Sequence, residues 1–146
     1  MIIVSACLLG ENCKYDGKNN LNKAVIEYLK DKSYIAVCPE MLGGLPCPRT
    51  PSEIRNGKVY FKDGTDVTEA FLRGADEVLS LLEQYEITEA ILKEGSPSCG
   101  SKNVYDGTFT GAKIKGQGIT AKALSERGIK IRNESEIPEG VVSETE

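Results

Sequence analysis

Histidine is absent from this chain, and the absence excludes a good deal. Without an imidazole there is no Ser-His or Cys-His nucleophile pair, no His-ligated zinc and no imidazole base. Any chemistry must rest on Cys, Asp, Glu, Lys, Arg, Tyr, Ser or Thr. A basic excess is missing too. The 22 acidic and 18 basic residues leave a formal charge of −4, which argues against a dedicated nucleic-acid backbone binder. No apolar run approaches the roughly 20 residues that cross a bilayer. The opening MIIVSACLL lacks the basic start of a signal peptide and leads straight into polar residues, so it reads as a first strand. The five cysteines are odd in number with no export signal beside them. That usage points to a reducing cytoplasmic setting, with free thiols or metal ligation rather than a disulfide framework.

What is present is an ordinary globular composition: 146 residues, 40% apolar and 27% charged. The length predicts one domain. Short apolar runs fall at Ile2–Val4, Tyr34–Val37, Glu89–Leu92 and Ile129–Ile131, and each reads as a strand. Between them, helical spacing marks residues 21–30, a longer stretch from Asp66, and 120–127 with Gly128 just past its end. Asp66 with Glu69 resembles a capping box. Asn56-Gly57 sits between two short runs and predicts a small hairpin. CPEMLGGLPCPRTP, with four prolines and two glycines, reads as irregular loop. Strand and helix alternating in this way predict a single three-layer, Rossmann-like α/β domain over 1–132. Its sheet would be short and mostly parallel, with a small β-hairpin insertion and an acidic tail at 133–146. Within that tail Ile137 and the Val141-Val142 pair are the apolar exceptions.

In that layout Cys7 lies just beyond the first strand, Cys38 ends the second, and Cys99 sits in the loop after the third. Ligands of open parallel sheets bind outside the carboxyl ends of the strands. Three thiols delivered there by three strands can converge, although no close Cys pair occurs in the sequence. Each alone could be a small apolar filler. Together they suggest a metal site. Zinc in a structural site wants four ligands, and a 4Fe–4S cluster normally has four cysteines. With three, one iron would stay open, as a catalytic metal requires. Composition fits either metal.

Other polar groups fall at the same edge. Glu40, two residues after Cys38, could activate a water or move a proton. Ser96 and Ser98 could donate hydrogen bonds, Lys93 and Arg49 offer positive charge, and Asp16 lies in an Asp-Gly turn. Ser98, Lys93, Arg49 and Asp16 are the candidates for holding a substrate. The glycine-rich TFTGAKIKGQGITA could cradle a phosphate at the start of the last helix, although it matches no phosphate-loop pattern.

The motifs SACLLG at 5–10, YDG at 15–17, CPE at 38–40, GGLP at 43–46, PR at 48–49, SPSCG at 96–100 and YDGTF at 105–109 belong together. Over nearly the whole chain, to about Ile131, they resemble the YbbK-like family long catalogued as a domain of unknown function, to which thiouracil desulfidase belongs. The resemblance implies a 4Fe–4S cluster on three cysteines, matching Cys7, Cys38 and Cys99, with an open iron that takes sulfur from a thiolated nucleobase. It also implies Glu40 and Ser96 as the catalytic pair, and a small-molecule thiolated base as partner. Cys47 stands where a residue such as Thr is expected, and Cys13 is a further extra thiol. Either could join the site. A cysteine-based zinc or redox-sensing module without turnover is the alternative reading.

Overall fold

The computed structural model describes residues 1–138. Four short strands form the central sheet: β1 (Ile2–Ser5), β2 (Tyr34–Val37), β5 (Glu89–Leu92) and β8 (Lys130–Asn133). Their order is β2-β1-β5-β8, and every pairing is parallel. All four residues of β1 are buried, as a central strand covered on both faces demands. On one face Ile2, Val4 and Ile91 pack with Val25 and Leu29 of helix α1 (Lys23–Leu29). On the other face Ile3, Ala90 and Leu92 pack with Val78 and Leu124. Those two come from α3 (Thr68–Gln84) and α4 (Ile119–Glu126). Helix, sheet and helix are the three expected layers.

Local chemistry explains the element boundaries. The Asn22 side chain accepts the Val25 N–H at 3.0 Å and starts α1. The capping box read at Asp66 does not form. Val67 N–H is held by Val59 O, and Thr68 Oγ1 accepts the Val59 N–H, so the helix begins only at Thr68. Asp66 instead accepts the Thr68 N–H in a local turn. The hairpin β3 (Ser52–Arg55) and β4 (Lys58–Phe61) turns at Asn56-Gly57, both with positive φ, the geometry a two-residue hairpin turn needs.

Three features depart from expectation. CPEMLGGLP is not wholly irregular: Pro39–Leu42 forms one helical turn, α2, with Cys38 before it. A second hairpin, β6 (Asn103–Tyr105) with β7 (Lys113–Lys115), occupies part of the glycine-rich stretch. The last strand runs past Ile131 to Asn133, which is buried, while Ile137, the apolar exception expected within the tail, packs on the α1 side of the core. Val141 and Val142 lie outside the described residues.

Candidate active site

From β1 the chain crosses to β2 on one side, and it later returns on the other side of β1 as β5. The carboxyl ends of β1 and β5 therefore feed connections that diverge, leaving the crevice typical of an open α/β sheet. Each neighbouring strand delivers one thiol to it. Cys7 rides on a 3-10 turn, Ala6–Leu9, directly after β1. Cys38 follows β2, and Cys99 lies in the loop after β5. All three line one cavity of about 270 Å3.

Glu40, Ser96, Arg49 and Lys93 line the same cavity, whereas Ser98 and Asp16 do not. Ser98 is wholly buried behind Cys99. The Asp16 carboxylate accepts the Lys18 N–H and pairs with Lys14 at 3.8 Å, so it shapes its turn. Cys13, a polar-turn thiol in the sequence, is buried in the cavity wall. The Cys47 thiol does not line the cavity. Its sulfur lies within reach of Asn12 O at 3.1 Å and Lys14 O at 3.2 Å, on either side of Cys13, and its one hydrogen serves either carbonyl.

Sequence reasoning passed over Ser5, Asn20, Tyr15 and Tyr105, which also line the cavity. The signal for Ser5 was available: it is a hydroxyl at the end of an apolar strand, where a buried polar atom needs a partner.

The Cys99 loop is tightly held. Ser96 Oγ accepts the N–H of Ser98 at 3.0 Å and of Cys99 at 3.1 Å. The Glu94 carboxylate accepts the N–H groups of Ser101, Lys102 and Asn103. The free N–H groups of the α4 start do not cradle a phosphate. Ile119 donates to Pro97 O, while Thr120 and Ala121 donate to Ser98 O, so the helix end grips the loop. From beyond β8, Glu134 accepts the Glu94 N–H and pairs with Lys93 Nζ at 3.2 Å.

On the opposite wall, Arg49 is the organiser. Its side chain is only 5% exposed. Nη2 donates to Cys13 O at 3.0 Å and lies 3.9 Å from Glu40 Oε1, while Nη1 donates to Pro46 O. Glu40 Oε1 also lies 3.9 Å from Cys38 Sγ.

The thiols are electrostatically unequal. Cys38 is held below the usual thiol range, first by a hydrogen bond shared with Cys13, with the Met41 N–H and Arg49 helping. Cys13 is correspondingly held protonated by that bond and by burial. Burial pushes Cys7 up, opposed by the Asn20 amide at 3.4 Å. Burial pushes Cys99 up as well, to about 12, with the Glu40 charge adding to it.

A family profile described as 2-thiouracil desulfurase matches residues 2–136. The chain belongs to the 2-thiouracil desulfurase family. Among relatives of this chain is the uncharacterized protein YbbK of Bacillus subtilis, 39% identical over 147 residues. That match covers 94% of this chain and 97% of YbbK. The solved structure of the 4Fe–4S-dependent thiouracil desulfidase TudS is 41% identical, with a TM-score of 0.89. It covers 99% of this chain and 97% of its own. The desulfurase fold thus carries the parallel sheet and crevice described above.

Proposed function

We propose that this chain is a 4Fe–4S-dependent desulfidase that replaces the sulfur of a thiolated nucleobase, of the thiouracil kind, by oxygen from water. The observation that carries this reading is the delivery of three thiols, by three parallel strands, into one cavity that also holds a carboxylate and a hydroxyl. TudS, similar over its whole length, is named as dependent on such a cluster.

The donor set fits the group. Soft thiol donors with no imidazole suit an iron–sulfur centre, and the three that follow the strands stand around one cavity. Cys7, Cys38 and Cys99 would hold it. A cluster so held would supply an iron without a protein ligand, as a soft acid for the departing sulfur.

The chain's own residues do the rest. Arg49, fixed by two carbonyls, keeps the Glu40 carboxylate at the cavity wall. From there Glu40 accepts a proton from the attacking water. The Ser96 oxygen is filled by two N–H donors, so toward a base it can only give a hydrogen bond, its hydrogen turning from Ser98 Oγ to the base on binding. Lys93 places a positive charge on the same wall, braced by Glu134. The overall change, C=S plus water to C=O plus hydrogen sulfide, needs no net electron. It therefore needs no redox partner, and Glu40 stands where a proton must be taken up.

Anaerobic reconstitution with iron and sulfide tests this reading, followed by iron counting and an assay of 2-thiouracil for uracil and hydrosulfide. Four irons per chain with stoichiometric products are expected, and Cys7→Ala, Cys38→Ala and Cys99→Ala should each lose the cluster. A chain that takes up no iron, or a Cys99→Ala variant that keeps it, defeats the reading.

A further inference from the structure

We propose that Ser5 and Ser98 are positioning residues whose two buried hydroxyls both donate to Cys99 Sγ and hold it as a thiolate ligand. This rests on the reading of Cys99 as a cluster ligand. It adds an assignment of how that sulfur is prepared.

The argument is a count of hydrogens. Ser5 Oγ lies 3.3 Å from Cys99 Sγ and accepts the Lys93 N–H at 2.9 Å. With that N–H on its oxygen, the single hydroxyl hydrogen of Ser5 is left for the sulfur. Ser98 Oγ lies 3.6 Å from the same sulfur and 2.9 Å from Ser96 Oγ. Its hydrogen has two possible destinations. Ser96 Oγ already accepts two backbone N–H groups, from Ser98 and Cys99, so both of its lone pairs are filled. It cannot accept a third. The Ser96 hydrogen therefore goes to Ser98, and the Ser98 hydrogen goes to Cys99.

Burial makes the arrangement consequential. Ser5 is 2% exposed, Ser98 0% and Cys99 4%. Water is not at hand to replace a lost donor, and an anionic sulfur there without donors would carry the full cost of desolvation. Among the described residues, no hydrogen bond has Cys99 Sγ as donor, whereas two hydroxyls point at it. The pocket is shaped to receive an acceptor. Both serines are rigidly placed: Ser5 ends the central strand, and the Ser98 carbonyl is gripped by the N–H groups of Thr120 and Ala121.

Donors to a ligating sulfur stabilise its bound, anionic form and raise the potential of the metal behind it. The test uses the full chain reconstituted anaerobically, as wild type, Ser5→Ala, Ser98→Ala, the double variant and the hydroxyl-keeping Ser5→Thr. Iron release to a chelator should be roughly 10–100-fold faster in the alanine variants, the range seen when outer partners of metal ligands are removed. Their reduction potential should fall, and Ser5→Thr should restore both. A merely structural role would leave the potential where it is. Alanine variants that release iron and accept electrons as the wild type does overturn the proposal. Should Ser98→Ala not fold, Ser5→Ala carries the test alone. A wild-type chain that binds no iron instead removes the ligand reading itself, so the two failures are distinguishable.

Discussion

Gly74→Ala pits helix propensity against the geometry of the site. Gly74 lies in the middle of α3, where alanine is favoured over glycine by about 1 kcal/mol. Local reasoning therefore predicts a stabilised protein. A Cβ at Gly74, however, would stand 2.0 Å from Pro39 O and 2.8 Å from Pro39 C, against ordinary contact starting at 3.4 Å. These are backbone atoms, so no rotamer change relieves the clash. Gly43 mirrors it, because a Cβ there would meet Ala70 O at 1.9 Å. The two helices touch backbone to backbone, and α2 must move outward by more than an ångström. Overpacking of this kind costs about 1–3 kcal/mol. Net of the propensity gain, the loss should be about 0–2 kcal/mol. The larger effect falls on the site, since α2 carries Glu40 and follows Cys38 directly. A 1 Å misplacement of reacting groups can cost about 100-fold in rate. The expected variant is nearly as stable as the wild type in urea unfolding of the apo chain, yet turns over 2-thiouracil about 100-fold more slowly. Ser80→Ala, on the exposed face of the same helix, is the control. A Gly74→Ala chain that is more stable and equally active would refute the close-contact argument.

Three further outcomes follow from the same contacts. Because Cys99 is pushed up to about 12 by burial against an ordinary 9.0, the cluster-free folded state holds that proton more tightly than the unfolded chain does. Its contribution to stability is complete below pH 9 and drains as pH rises towards 12, at about 1.4 kcal/mol per pH unit. Urea midpoints between pH 8 and 11 should fall more steeply for wild type than for Cys99→Ala, and parallel curves would contradict this. Glu94→Ala removes the acceptor of three backbone N–H groups. Charged hydrogen bonds are worth about 1.5–3 kcal/mol each, but these donors are exposed or half-buried and water replaces much of the loss, so the cost in urea unfolding should be roughly 2–3 kcal/mol. An unchanged midpoint would deny Glu94 its structural role. Arg49→Met should lower kcat about 100-fold through a displaced Glu40, with iron content and KM little changed. A raised KM at unchanged kcat would show instead that Arg49 holds the substrate.

The elements that were legible in the sequence are those whose cause is local. Four apolar runs became the four sheet strands, and Asn56-Gly57 became a hairpin because its φ values are a property of those two residues. The α2 turn was hidden, since Pro39–Leu42 is too short to show a period and is held by two glycines, one of them in α3. Cys7, Cys38 and Cys99 could be grouped because a strand-end rule needs only element order. Ser98 could not be placed in the same way. It reads as a loop hydroxyl, and its burial comes from an α4 end more than twenty residues away. Two acids of the tail, Glu134 and Glu136, pair with Lys93 and Lys102 of the site loop, contacts that no local pattern announces.

The three thiols proposed as ligands pose one problem and receive three answers. Each must give up a proton in a place where burial opposes the charge, and no imidazole is available to take it. Cys38 precedes a helical turn, so the Met41 N–H and the neighbouring Cys13 thiol stabilise its anion, with Arg49 behind them. Cys7 has a side-chain amide from Asn20 and the distant charge of Lys93. Cys99, the deepest, has neither a cation nor an amide in contact, and two hydroxyls take their place. The depth of each sulfur sets the donor it can have. A cation close to Cys99 would itself be desolvated, whereas a hydroxyl carries no charge to bury. That ordering explains why the apo thiols differ so widely in acidity while sharing one cavity. It also makes the alkylation order of the cluster-free chain a direct reading of the wall: Cys38 reacts first, Cys7 later, and Cys99 only once the fold opens.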